Sequence, residues 1–106
     1  MFISGGENVY PAEVEAAISD FGPVALAAVV AVPDERWGEV GHAYVQPRPG
    51  FALDTQALVA HLQGRLARFK QPKCITVLDE LPRTGSGKID KPHLTQRALQ
   101  SVEAAL

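Results

Sequence analysis

The chain has 106 residues, of which 46% are hydrophobic and 21% charged, a composition typical of a globular domain in water. A core of this size buries roughly two-thirds of the unfolded surface, which excludes separate nucleotide and substrate domains within the chain. No apolar run approaches the ~20 residues of a membrane span, and we expect no signal peptide. The single cysteine, Cys74, excludes an intramolecular disulfide, so we expect a buried, reduced thiol and a cytoplasmic protein.

The formal net charge of −2 is unevenly distributed along the chain. Residues 1–60 carry two basic and eight acidic side chains, whereas residues 61–106 carry eight basic and four acidic ones. The balance of +4 in the second half indicates either an anionic ligand or a solvated basic helix face. Nucleic acid is disfavoured as that ligand, because this half has one aromatic residue, Phe69, and the pI of the chain is about 5.9.

In chain order, the hydrophobic pattern first predicts a helix and two strands. The helix begins near Pro11 and ends before Gly22, because proline favours a first turn and a Gly-Pro pair ends a helix. Residues 24–32 form a continuous apolar run, which predicts a central strand covered on both faces. Residues 40–45 predict a second strand after the turn that follows.

The rest of the chain predicts two more helices and one more strand. Asp54 is the expected N-cap of a leucine-striped helix that continues to about Arg68. Residues 74–78 predict a third strand, residues 81–88 predict a loop, and Asp90 caps a last short helix. This order predicts an α+β fold with a small three-stranded sheet covered by helices.

The most pointed local motif is PRTGSGK at residues 82–88. Glycines permit close approach and unusual backbone dihedrals, so this loop can present Lys88 to phosphate or carboxylate oxygens of a neighbouring site. A phosphate-binding P-loop is rejected, because Pro82 stands where that motif needs its first glycine and Ile89 where it needs Ser or Thr. A plain surface turn with an exposed lysine is the alternative interpretation.

Two further segments are candidate ligand contacts. Gly5 and Gly6 precede the first helix, where they either let a ligand approach the backbone or form a flexible lead-in. Trp37 lies in the polar turn PDERWGE (33–39), where it is a stacking platform, an interface anchor or a ring that folds back onto the core. The isolated histidines at positions 42, 61 and 93 predict structural roles, and no spacing indicates a catalytic triad or metal site.

Four segments together resemble the C-terminal domain of adenylate-forming enzymes, with acyl-CoA and aryl-CoA synthetases as the closest branch. They are residues 3–15 (ISGGENVYPAEVE), 33–39, 69–73 (FKQPK) and 81–89 (LPRTGSGKI), in the order and spacing of the family. The resemblance implies that residues 1–106 are a single C-terminal lid domain of an AMP-forming acid–CoA ligase. It also implies that the N-terminal adenylation domain lies outside this chain, so the isolated chain is expected to be inactive.

The resemblance implies a two-step reaction that uses ATP, CoA and Mg²⁺ in the complete enzyme, with none of them expected on this domain alone. A carboxylic acid attacks the α-phosphate of ATP, and the CoA thiol then attacks the resulting acyl-adenylate to give a thioester and AMP. Lys88 takes the place of the family's adenylation lysine, whose acetylation would remove its charge and stop the first step. The Mg²⁺ is expected on the missing domain.

The same resemblance implies two sets of CoA contacts. Gly5, Gly6 and Trp37 match positions along the family's pantetheine tunnel. Phe69, Gln71 and Lys73 match its contacts with the CoA nucleotide, where Phe69 would stack on adenine and Lys73 would meet a phosphate. Gln71 departs from the arginine frequent in the family, so it supplies no charge there.

Two other interpretations remain open at this stage. A free-standing, non-catalytic module derived from the lid domain would dock a partner in trans or form a homodimer through its exposed sheet. A stop codon just upstream would favour that module, whereas a long in-frame extension would favour the ligase. A small carrier of CoA or nucleotides is disfavoured, because 106 residues imply no enclosed pocket. The chain does not specify the carboxylic acid, since acyl selectivity lies in the missing domain.

Overall fold

The computed structural model describes the backbone of residues 1–105 and the side chains of residues 1–101. The elements in chain order are β1 (Phe2–Ser4), β2 (Glu7–Val9), α1 (Pro11–Ser19), β3 (Val24–Asp34), β4 (Gly38–Pro47), α2 (Thr55–Gln63), a 3-10 turn (Arg68–Lys70), β5 (Cys74–Val77) and α3 (Lys91–Ala105). The predicted α+β class is confirmed, and the predicted helices and strands occur in the predicted order.

The sheet is organised around β4. On one side β4 pairs antiparallel with β3 along nearly its whole length, from Pro47 opposite Val24 to Gly38 opposite Asp34. On the other side it pairs antiparallel with β1 near its start and parallel with β5 farther along. The prediction of a central position for residues 24–32 is wrong, because β3 lies at the edge of the sheet. Its continuous apolar run reflects cover by helices on both faces.

A short N-terminal hairpin adds two strands to the three that were predicted. β1 and β2 pair antiparallel and are joined by Gly5 and Gly6, whose φ angles are 59° and 83°. Positive φ at both central residues is what a type I′ hairpin turn requires, and that turn matches the twist of the strands. The alternative of a flexible lead-in is therefore wrong, since these glycines form an ordered turn.

Two hydrophobic cores lie on opposite faces of the sheet, because alternate residues of β3 and β4 point to opposite sides. The first core lies beneath α1 and α2, and it includes the fully buried side chains of Val14, Ile18, Val45, Leu58 and Leu62. The second core lies beneath α3, and it includes Val30, Val32, Tyr44, Leu81, Leu94 and Ala98. The chain thus forms three layers with the sheet in the middle.

The helix ends differ in part from the predicted ones. The Asp54 carboxylate accepts the backbone N–H of Gln56 at 2.9 Å and that of Ala57 at 3.3 Å, so its N-cap role is confirmed. The helix ends at Gln63 instead of continuing to about Arg68, because Gly64 follows and disfavours further helix. α3 begins after Asp90 as predicted but runs for 15 residues, so it is not short.

Cys74 is exposed, so the prediction of a buried thiol is wrong. It is the first residue of β5, a strand of four residues that pairs with β4 along one side. An apolar neighbourhood in sequence did not imply burial, because the end of a short edge strand is only partly covered by the helices. In the part of the chain that the structure describes, the helices are too short or too polar to cross a membrane.

The first core supplies a test of the packing. Leu62→Ala removes a side chain with 0% exposure, so we expect the free energy of unfolding to fall by about 2–5 kcal/mol. Val59→Ala lies on the same helix at 40% exposure and should cost less than about 1 kcal/mol. Urea denaturation of the two variants measures the difference, and equal losses would contradict the assigned face of α2.

Candidate functional site

Lys88 lies in a closed hairpin of residues 82–90, called here the lysine hairpin. The Thr84 N–H donates to the Lys88 carbonyl at 2.7 Å, and the Asp90 N–H donates to the Pro82 carbonyl at 2.9 Å. Gly87 has a φ of 87°, a conformation that costs an L-residue about 1–2 kcal/mol. The backbone conformation therefore favours glycine at position 87, and Lys88 follows it within the hydrogen-bonded hairpin.

The lysine hairpin is attached to the α3 side of the sheet. Leu81, just before it, is buried in the second core, and Ile89 packs against the same cluster. Lys91, the residue that follows the hairpin, forms an ion pair with Glu15 at 2.7 Å. The same Glu15 oxygen accepts the backbone N–H of Val29 at 2.9 Å. Glu15 thus fixes the base of the hairpin to α1 and to the edge of β3. No local sequence pattern indicates this contact.

Four of the eight basic residues in the second half of the chain have an internal partner. Four ion pairs join a basic residue of the second half to an acidic residue of the first half: Arg65–Asp20, Lys70–Glu13, Lys73–Asp34 and Lys91–Glu15. Lys88 is exposed and takes part in no ion pair among the residues that the structure describes. Its ammonium group is therefore open to an external anion.

A second cluster forms at the turn between β3 and β4, and it consists of Gly5, Gly6, Asp34, Trp37 and Lys73. We call it the tip cluster. One oxygen of the Asp34 carboxylate accepts the backbone N–H groups of Arg36 at 2.9 Å and Trp37 at 3.0 Å. The other oxygen accepts Lys73 Nζ at 2.5 Å.

The tip cluster keeps both of its charged groups ionised. The hydrogen bond from Lys73, with the one from the Trp37 N–H, lowers the pKa of Asp34 below its usual value. The hydrogen bond to Asp34 raises the pKa of Lys73 in turn. The Asp34 side chain is 7% exposed, whereas that of Lys73 is 58% exposed. The ammonium group therefore faces solvent while the carboxylate lies behind it.

Trp37 packs on the N-terminal hairpin instead of folding into either core. The Gly5 N–H donates to the Trp37 carbonyl at 2.8 Å. A Cβ atom on Gly5 would lie 2.8 Å from Cε3 of the indole, so only glycine fits beneath the ring. The indole remains 42% exposed, and the Arg36 guanidinium lies 5.1 Å from the ring centroid. A ring that is exposed and fixed by backbone contacts can act as a stacking surface.

Phe69 and Gln71 lie elsewhere, near the 3-10 turn. Phe69 is partly buried against the first core, with Lys70 Nζ 5.5 Å from its ring centroid. The side-chain amide of Gln71 donates to the carbonyls of Leu62 at 2.8 Å and Leu66 at 3.0 Å. Both amide hydrogens of Gln71 are thus engaged at the end of α2, which gives this residue a structural role that the sequence did not reveal.

Two of the three histidines have structural surroundings that agree with their predicted roles. His42 is buried in β4, and burial, with the positive charge of Lys73, lowers its pKa and favours the neutral ring. His61 Nε2 lies 2.9 Å from the Ala17 carbonyl and joins α2 to α1. His93 is exposed on α3.

Asp34 is the residue of the tip cluster that sequence reasoning missed. A signal was present, because an aspartate whose side chain accepts N–H groups two and three residues on is the signature of an Asx turn. That signal predicts the turn but not the partner Lys73, which lies 39 residues away in sequence and reaches Asp34 only in the folded chain.

With the fold and these clusters defined, comparison with known proteins identifies the class. Residues 13–88 match the family described as the AMP-binding enzyme C-terminal domain, and the chain belongs to that family. The predicted resemblance to the C-terminal domain of adenylate-forming enzymes is therefore confirmed.

The similar proteins are CoA ligases. Feruloyl-CoA synthase from an Amycolatopsis species is 52% identical over 97 residues, which are 92% of this chain and 20% of that enzyme. The structure of a fatty acyl CoA synthetase from Mycobacterium tuberculosis aligns with a TM-score of 0.82 and 42% identity, over 92% of this chain and 19% of that one.

The o-succinylbenzoate CoA synthetase of Bacillus subtilis, in complex with its acyl-adenylate intermediate, aligns with a TM-score of 0.79 and 41% identity. That alignment covers 87% of this chain and 19% of the other. The chain thus spans about a fifth of the length of these relatives.

Two glycine substitutions test the geometry of the tip cluster. Gly5→Ala and Gly6→Ala both place alanine at positive φ, at a cost of about 1–2 kcal/mol each. Only Gly5→Ala also displaces the indole, because no heavy atom lies within 4 Å of a Cβ on Gly6. Trp37 is the single tryptophan, so we expect a shifted fluorescence emission in Gly5→Ala alone. Identical spectra for the two variants would contradict the contact.

Proposed function

We propose that residues 1–106 form one lid domain of an AMP-forming acid–CoA ligase. The observation that carries the proposal is Lys88, an exposed cation without an ion pair among the described residues, held on an ordered hairpin. Membership of the AMP-binding enzyme C-terminal domain family supports it, as do relatives that are CoA ligases. The partners are the N-terminal adenylation domain, a carboxylic acid, ATP and CoA.

Lys88 serves the first step, in which an acyl-adenylate forms. The carboxylate oxygen attacks the α-phosphorus of ATP, the bond to the bridging oxygen breaks, and pyrophosphate leaves. Two anions must meet, and negative charge accumulates on the phosphate oxygens as the reaction proceeds. The Lys88 ammonium donates hydrogen bonds to those oxygens and offsets the charge without giving up its proton. We assign the Mg²⁺ of this step to the adenylation domain.

The tip cluster serves the second step. The CoA thiol gives up its proton to solvent, its sulfur attacks the acyl carbonyl, the bond from that carbon to the AMP oxygen breaks, and thioester and AMP separate. Gly6, whose Cβ position is open, lets the pantetheine arm pass close to the backbone, while Gly5 makes room for the indole of Trp37, which forms one wall. Lys73 offers its ammonium to a CoA phosphate, and the partly buried ring of Phe69 offers a stacking surface to the adenine. Gln71 contributes indirectly, since its amide supports the end of α2.

The two assignments require the lid to turn between the steps. The lysine hairpin packs on the second core, whereas Phe69 packs on the first core, on the opposite face of the sheet. One placement of the domain cannot direct both faces at one acyl carbonyl, so the lid rotates after pyrophosphate leaves.

A cytoplasmic location fits the single thiol, which has no disulfide partner in the chain.

The first step is tested in a chimeric ligase that joins this chain to the N-terminal portion of the similar feruloyl-CoA synthase. Lys88→Ala should slow acid-dependent ATP–pyrophosphate exchange by about 10²–10³-fold, the usual loss for one positioned electrostatic contact. Thioester formation from preformed acyl-adenylate should change little. Ser86→Ala, in the same turn, is the matched control. Equal loss of both steps in Lys88→Ala would refute the role of Lys88.

The isolated chain supplies a second test. Because the acid pocket and most of the ATP site are assigned to the missing domain, we expect the 106-residue chain alone to show no acid-dependent ATP–pyrophosphate exchange. Mixing the chain with the separate N-terminal portion of the relative is the positive control. Measurable exchange by the chain alone would show that it is an enzyme by itself.

A further inference from the structure

The strongest unassigned feature is the Asp34 carboxylate, whose side chain is 7% exposed and which links three separate segments that carry the proposed CoA contacts. Asp34 binds the backbone N–H of Trp37 and the ammonium of Lys73, and Trp37 in turn binds Gly5. We propose that Asp34 is the positioning residue for CoA binding, acting through Trp37 and Lys73 without touching CoA. This inference rests on the proposed function of the tip cluster.

Asp34 holds the turn between β3 and β4. Asp34 Oδ1 accepts the N–H groups of Arg36 and Trp37, and the side chain is 7% exposed. Hydrogen bonds from backbone N–H groups to an ionised carboxylate are among the stronger ones in proteins. Without that oxygen, Trp37 loses the contact that fixes its backbone, and the carbonyl that receives the Gly5 N–H moves with it.

Asp34 also holds the side chain of Lys73. Its ammonium carries three N–H donors, of which Asp34 Oδ2 takes one at 2.5 Å. The remaining donors face outward, because the Lys73 side chain is 58% exposed while Asp34 lies behind it. A phosphate approaching from solvent therefore meets the ammonium before the carboxylate. A lysine tethered in this way loses less conformational entropy on binding than a free one.

Asp34 is structurally separate from the lysine hairpin, to which the adenylation step is assigned. Within the part of the chain that the structure describes, no hydrogen bond or ion pair joins Asp34 to the lysine hairpin. The hairpin is held by its own backbone bonds, by the second core and by Glu15. An effect of Asp34 should therefore fall on CoA binding and leave acyl-adenylate formation unchanged.

The test uses the same chimeric ligase, with KM for CoA and the rate of ATP–pyrophosphate exchange as separate measurements. Asp34→Ala should raise KM for CoA by about tenfold or more, since it removes charge-assisted contacts, and should leave exchange within about twofold. Asp34→Asn keeps an oxygen that accepts the same N–H groups but places an NH2 donor where Lys73 needs an acceptor, so its KM should lie between those of the parent and Asp34→Ala. Glu35→Ala removes a neighbouring exposed acid and is the matched charge control.

The emission of Trp37 in the 106-residue chain adds a readout that does not depend on activity. Asp34→Ala should shift it, whereas Asp34→Asn should not, and thermal unfolding shows whether each variant is folded. An unchanged KM in Asp34→Ala, or equal damage in Asp34→Asn, would overturn the proposal.

Trp37→Ala and Lys73→Ala distinguish a failure of the positioning role of Asp34 from a failure of the proposed CoA contacts themselves. If both raise KM for CoA while Asp34→Ala does not, the positioning role of Asp34 fails and the CoA face stands. If neither changes KM, the CoA face itself is wrong, and the role of Asp34 fails with it.

Discussion

The pairing of β3 with β4 is the interaction on which the rest of this structure depends. These two strands run antiparallel from Val24 to Asp34 and from Gly38 to Pro47, and their alternate residues supply both cores. β1 and β5 attach to β4, and helices cover both faces. The turn that joins β3 to β4 carries Trp37, while the lysine hairpin rests on one of the two faces. The same pairing therefore sets the positions of both proposed sites.

Polar side chains then fix the segments that pairing alone would leave loose. Glu15 binds Lys91 and the edge of β3, Gln71 binds the end of α2, and Asp34 binds the tip of the β3–β4 hairpin. Exposed ion pairs such as Arg65–Asp20 contribute at most about 1 kcal/mol each to stability. Their effect is to set orientation, and the four ion pairs engage four of the eight basic residues in the second half of the chain. Lys88 is one of the exposed cations that take part in no ion pair among the described residues.

The sequence predicted the parts of the fold that depend on local pattern. Apolar periodicity found the helices and the three longer strands, and Asp54 and Asp90 were correct helix starts. Strands of three residues carry too little pattern to be recognised, so the N-terminal hairpin was missed. The edge position of β3 and the exposure of Cys74 depend on which strands become neighbours, and composition does not contain that information.

The candidate site likewise contains residues that the sequence reveals and contacts that only the fold reveals. The glycines, Trp37 and Lys88 stood out because their residue types are unusual in their local context. The contacts that orient them could not be found in that way. Asp34 and Lys73 are 39 residues apart in sequence. Gln71 binds the end of α2, a helix that was predicted to be longer than it is. A pattern thus marks candidate ligand contacts, whereas the fold identifies the residues that hold them.

The central claim is that one small domain serves two steps with two separate clusters. Amide hydrogen exchange in the chimeric ligase tests it most directly, with CoA and a non-hydrolysable acyl-adenylate analogue as separate ligands. The account predicts that the adenylate analogue slows exchange in residues 82–90, and that CoA, added to the adenylate complex, slows exchange in residues 3–9 and 33–39. Protection of the same segment by both ligands, with none in the other, would contradict it.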